Sequence, residues 1–154
     1  MNSKLKYKEL VLEKAIDRQK QIINDFRGSI QEMKNSEMAV NEDQYDLGQG
    51  GFNSGSSEMI ENLDRELNFV LKEMDLLQIL KENLGIKDRV ALGSIVETDK
   101  ATFFPSVSIE NFDVNGKSFL GISRDSPIFQ EMTGKKKGES FRFGDQEYFI
   151  VDLY

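Results

Sequence analysis

The chain is predicted to be an α+β protein of two domains. An N-terminal antiparallel helical coiled-coil hairpin spans 1–86, and a C-terminal domain with a small antiparallel sheet and one short helix spans 87–154. Three observations predict it. Apolar residues recur at alternating spacings of three and four through two long stretches, and a glycine- and serine-rich segment separates those stretches. Beyond Asp88 the pattern changes to short β-rich runs.

The first stretch, Lys4 to Lys34, is rich in helix formers and offers Leu12, Ile16, Ile23, Phe26, Ile30 and Met33 on one stripe, with Gln19 interrupting it and Gly28 weakening it. In the second, Ile60, Leu63, Leu67, Val70, Met74, Leu77 and Leu84 repeat over more than three heptads, with Lys81 at one site, which is the pattern of a coiled-coil seam. Each stripe needs a partner, and the nearest partner of each is the other. Between them Gly48, Gly50, Gly51, Ser54, Gly55, Ser56 and Ser57 give the chain freedom to reverse. Ser56 or Ser57 reads as the cap of the second helix, with Glu58 near its positive end, and Gly85 reads as its stop.

Five runs follow: Val90 to Thr98, Thr102 to Ile109, Ser118 to Ile122, Ser140 to Phe143 and Tyr148 to Leu153. Asn115-Gly116 and Gly144-Asp145 are hairpin-turn signals between them. Ser126-Pro127 followed by Ile128, Phe129, Met132 and Gly134 reads as one short helix with a capping start and a glycine stop. Some 30 residues of helix extend about 45 Å, whereas a domain of roughly 65 residues is under about 30 Å across. The hairpin is therefore expected to project as a finger with its connecting loop, about 36–57, at the far end.

The chemistry open to the chain is narrow. Cysteine and histidine are both absent, which removes disulfides, thiolate or imidazole metal sites, thiol nucleophiles and any Ser-His-Asp arrangement. No run of about 18 apolar residues exists, and Met1 to Leu10 is too polar for a secretory signal, so a cytoplasmic protein with no membrane partner is expected. The formal net charge of −7 argues against nonspecific binding to nucleic acid. The imbalance is local: from Asn35 to Asp64 there are seven acids and no Lys or Arg, while the rest of the chain sets 20 acids against 20 bases. Such asymmetry suits either a solvated acidic loop or an element that meets a cationic surface or a metal. Lys135, Lys136 and Lys137 read either as a solvated turn or as a phosphate contact.

The segment Arg124-Asp125-Ser126-Pro127-Ile128-Phe129-Gln130-Glu131-Met132-Thr133-Gly134-Lys135-Lys136-Lys137-Gly138-Glu139 resembles the C-terminal domain of the GreA/GreB family of bacterial transcription elongation (transcript cleavage) factors. That family reads Ser-Pro, an apolar turn, Gly-Lys, then Gly-Asp or Gly-Glu. Phe141-Arg142-Phe143 and Glu147-Tyr148-Phe149-Ile150-Val151 look like its closing strands, and the paired helices upstream are similar to its N-terminal domain. The resemblance implies an FKBP-like C-terminal fold that grips the rim of the secondary channel of RNA polymerase. Asp125, Ser126 and Pro127 match the family's contact segment. Asp125 or Ser126 is equally a candidate helix N-cap with Pro127 as the first helical residue, and caps and contacts can coincide.

The resemblance also implies tip carboxylates that help hold a second Mg²⁺ in the polymerase active site, so that the polymerase hydrolyses its own backtracked transcript. The protein would then be an accessory factor and no enzyme itself, with no cofactor of its own, Mg²⁺ shared with the polymerase, indirect contact with nascent RNA, and a monomeric state. Glu42 falls nearest the family's second tip acid, while Ala39 occupies the place of the first; a small register shift makes Asp43 or Asp46 the missing acid. Glu42, Asp43 and Asp46 are therefore the metal-presenting candidates. Mg²⁺ takes hard oxygen ligands and is commonly held by only one or two carboxylates, so a tip need not bind it alone. Three other functions stay open: a channel-occupying regulator or inhibitor that promotes no cleavage, an FKBP-like peptidyl-prolyl isomerase, for which fold alone argues poorly, and a coiled-coil dimer.

Overall fold

A computed structural model describes residues 3–45 and 54–154, with the side chains of residues 3–36 and 57–154. The elements are α1 (Ser3–Tyr45), α2 (Ser54–Glu82), β1 (Val96–Thr98), β2 (Thr102–Ser106), β3 (Ile109–Val114), β4 (Lys117–Ser123), α3 (Pro127–Met132), β5 (Ser140–Phe143) and β6 (Gln146–Leu153). This is the expected α+β arrangement of a long helical hairpin followed by a sheet and one short helix. Two compact units make up the chain: Gln19–Lys72, and Met1–Arg18 together with Glu73–Tyr154.

In the Gln19–Lys72 unit, Ile23 and Ile30 of α1 and Ile60 and Val70 of α2 are buried, as the alternating spacing requires. The amide of Gln19 fills its seam position fully buried, and its Nε2 donates to the carbonyl of Val70 at 2.9 Å. Early α1 thus meets late α2, which is antiparallel pairing. The helix α1 continues past Lys34 to Tyr45, and α2 begins at Ser54, ahead of the expected caps Ser56 and Ser57. Two serines inside the first turn cost less than the hydrogen bonds that an extra turn adds.

In the other unit, Val11, Leu12, Ala15 and Ile16 of α1 and Leu77 of α2 share one core with Ile95, Phe104, Val107, Ile109, Phe112, Val114, Phe119 and Tyr154. Val11 and Ala15 lie beside the predicted stripe and are nonetheless fully buried, because here α1 packs on the sheet as well as on α2. Leu77 and residues 11–16 of α1 therefore close one sheet face, each buried aliphatic side chain contributing roughly 1.5–3 kcal/mol. The opposite face carries Val90, Val96, Phe103, Ile122, Phe141, Ile150 and Leu153, with Phe129 and Met132 of α3 packed among them. Neighbouring residues Phe103 and Phe104 enter different cores, as successive strand side chains must.

The sheet has six strands in the order β3-β4-β2-β1-β6-β5, antiparallel except for the parallel pair β2–β4. The two turn signals hold. Asn115 and Gly116 both have positive φ, 52° and 83°, in the two-residue turn between Val114 and Lys117. Gly144 takes φ 62° between Phe143 and Gln146. Two of the predicted runs are interrupted. Val90 to Ile95 is a loop, since Gly93 adopts φ 89° and its N–H bonds the carbonyl of Pro105 rather than a ladder partner. Thr102 to Ile109 breaks after Ser106, and the chain turns back as β3. Gly85 is not a left-handed helix stop; α2 ends at Glu82, Asn83 closes the last turn on the carbonyl of Ile79, and the Gly85 carbonyl instead accepts from Lys8.

Candidate functional site

The segment that carries the Ser-Pro motif is built at the junction of β4 and α3. Ser123 ends β4, and its carbonyl accepts twice from Ser126: from the backbone N–H at 3.1 Å and from the hydroxyl at 2.7 Å. Those bonds close a tight turn with Arg124 and Asp125 at its centre. Ser126 is the N-cap of α3, extended at φ −71° and ψ 142°, and its Oγ accepts from the N–H of Phe129. Pro127 follows at the first helical position, where its missing N–H removes nothing. A third bond comes from the far side of the turn: Gln130 Nε2 donates to the carbonyl of Arg124 at 2.8 Å. Phe129 and Met132 anchor the helix below in the core.

The three motif residues therefore have different duties. Ser126 is the cap, and its hydroxyl is committed in both directions. Asp125 caps nothing; it is exposed, and among the described residues its carboxylate has no hydrogen-bond or ion-pair partner. Pro127 is exposed as well. Capping explains two of the three residues and leaves the acid to be explained otherwise.

The lysine run that follows is held by its backbone. Gly134 N–H bonds Val90 O, Lys135 O accepts from Val90 N–H, and Gly138 and Glu139 pair with Ile150. The Glu139 carboxylate occupies the N–H of Lys136 at 2.8 Å, and Lys137 Nζ lies 3.6 Å from Asp152. Lys136 and Lys137 remain exposed.

Of the tip candidates, Asp46 lies outside the described residues. The backbone of Glu42 and Asp43 belongs to α1, and their side chains also lie outside the described residues. The last turn of α1 holds no basic residue. In α2, Glu58, Glu61 and Asp64 are exposed and, among the described residues, form no ion pair. The described residues contain no group of three or more acids placed to hold a metal. They also contain no helix long and apolar enough to cross a membrane.

Two features escape the sequence pattern. Lys8 is 2% exposed and donates from Nζ to Gly85 O at 2.5 Å. Burial, then the neighbouring charge of Lys87, pulls its pKa down to about 8. Around Glu97 a polar cluster forms: Lys117 pairs with its carboxylate, Tyr154 OH donates to it at 3.4 Å, and Tyr7 OH donates to Val114 O at 3.2 Å. Burial and then the Glu97 charge push both tyrosines above their ordinary pKa. A lysine and two tyrosines on otherwise ordinary elements offer no spacing signal that would have found them.

No protein-family model and no curated protein matches the chain. Among solved structures it is similar to the crystal structure of GreA factor homolog 1 (Gfh1) of Thermus thermophilus, at 17% identity over 90% of this chain and 94% of that one, with a TM-score of 0.34. It is similar also to another structure of the transcription factor Gfh1, at 19% identity over 92% and 94% of the two chains, with a TM-score of 0.35.

Proposed function

We propose that this protein is a Gre-like transcription elongation factor that docks on bacterial RNA polymerase through the turn at Asp125, Ser126 and Pro127 and enters the secondary channel with its helical hairpin. The observation that carries this reading is Asp125. Within a segment that resembles the Gre docking block, it is the motif residue that neither caps the helix nor pairs with a neighbour. An exposed, unpaired carboxylate on a closed turn suits a cationic partner side chain.

Glu42 and Asp43 sit at the C-terminal end of α1, where acids oppose the helix dipole and cost about 0.3–1 kcal/mol each. Their placement favours a role in meeting a cation over one in holding the helix. Carboxylates are hard oxygen donors of the kind Mg²⁺ takes, so Glu42 with Asp43 or Asp46 would present oxygen ligands to an ion shared with the polymerase. Such an ion, when bound, would supply charge neutralisation at the scissile phosphate. The chain's residues supply orientation, and the hydrolysis is the polymerase's own.

A second reading, a channel-occupying regulator that promotes no cleavage, is favoured by Ala39 at the place of the family's first tip acid. A stalled, backtracked elongation complex with labelled RNA separates the two. Release of short 3′ fragments that Glu42→Ala abolishes supports cleavage stimulation. Altered elongation with the RNA left whole supports the regulator. If the protein does not associate with the polymerase, both readings fail.

A further inference from the structure

The turn at residues 123–126 is fixed more firmly than an exposed turn requires. One hydrogen bond, Ser126 N–H to Ser123 O at 3.1 Å, closes it. The Ser126 hydroxyl adds a second to the same carbonyl at 2.7 Å, and Gln130 Nε2 adds a third, to Arg124 O at 2.8 Å. Arg124 O belongs to the peptide group that leads into Asp125, so the Gln130 amide holds the plane from which the Asp125 carboxylate departs. Gln130 is itself set by α3, its N–H bonding Ser126 O at 3.3 Å one helical turn back. It is exposed, and it is not part of the Ser-Pro, Gly-Lys pattern.

A long side chain that gives up its rotamer freedom to hold one exposed carbonyl is a poor stabiliser of the fold as a whole. It is a sound way to prepare a charged group for a partner, because the ordering is done before binding. We infer that Gln130 is a positioning residue for Asp125, clamping the Arg124–Asp125 peptide so that the carboxylate is presented to a cationic group of the partner. This rests on the polymerase-docking reading above. Ser126 acts in the same direction, but its capping role mixes with it; Gln130 isolates the effect.

The test is a double-mutant cycle on the full chain, titrated against RNA polymerase core enzyme. Gln130→Met removes the amide and keeps the side chain's length. It is expected to weaken binding about two- to tenfold, with the unfolding midpoint unchanged and with faster hydrogen exchange at the Ser126 amide. In the Asp125→Ala background the same substitution is expected to add little, since the group it positions is gone. The inference is overturned if Gln130→Met leaves affinity and exchange unchanged, or if it weakens binding equally with and without Asp125. If Asp125→Ala alone has no effect while the protein still binds, the docking assignment of the turn is wrong, and this inference falls with it. Failure of the unmodified protein to bind the enzyme overturns the functional reading itself.

Discussion

At Ser126 one hydroxyl does two jobs, accepting from Phe129 N–H and donating to Ser123 O. Ser126→Ala should therefore lower stability by about 1 kcal/mol, the usual cost of a lost N-cap, measurable by urea unfolding; an unchanged midpoint would mean that Pro127 alone sets the helix start. The sequence left Asp125 and Ser126 as equal candidates for the cap, because both residue types serve. The backbone geometry separates them: α3 starts at Pro127, and it is Ser126 that is extended and accepts from Phe129 N–H. Lys8 is the case the sequence could not reveal, a cation on a helix whose neighbours decide its burial. Its folded pKa of about 8 lies below its ordinary 10.5. The charged form is thus disfavoured in the fold, and the unfolded chain holds more protons between those values. Stability is expected to rise with pH from about 8 toward 10, where the raised pKa values of Tyr7 and Tyr154 begin to oppose the trend. Lys8→Met should flatten that rise; a slope unchanged by the substitution would assign it to other groups.

Among the elements, the seam of α1 and α2 was legible wherever a helix meets only the other helix, as at Ile23, Ile30, Ile60 and Val70. It was incomplete at Val11 and Ala15, where the sheet buries a second side of α1. Strands bounded by Asn115-Gly116 and Gly144 were legible because those turns need positive φ. The break between β2 and β3 was not, since nothing in Val107-Ser108 resembles a turn signal; the close packing there appears instead in Gly121. A Cβ at Gly121 would stand 2.6 Å from Val107 O and 3.0 Å from Ile109, so Gly121→Ala should destabilise by roughly 1–3 kcal/mol. Gly28 is the opposite case, an exposed helical glycine with nothing near its Cβ position. Gly28→Ala should stabilise α1 by about 0.5–1 kcal/mol, and thermal unfolding of the pair of variants checks both signs.

Over the whole molecule, charge is divided unevenly. The Gln19–Lys72 unit carries ten acids against five bases, and the remainder seventeen against fifteen. A helical pair with that excess is suited to a cationic surrounding, and its association with a partner should weaken as salt rises from 0.05 to about 0.5 M, where screening falls within a few ångströms. At the tip the sequence offers only a composition: seven acids without a base suit a solvated loop or a cationic partner alike, and the position of each carboxylate depends on backbone that spacing does not fix. In the proposed function, Glu42 and Asp125 address two places on one enzyme, the interior and the rim of the secondary channel. A photo-crosslinking residue placed in turn at positions 42 and 125 of the full chain, irradiated with RNA polymerase core enzyme, tests it directly. Crosslinks from position 42 to the channel interior beside the catalytic Mg²⁺ and from position 125 to the channel rim are expected; crosslinks from position 42 confined to the outer surface, or no crosslink from either position, would overturn the proposed function.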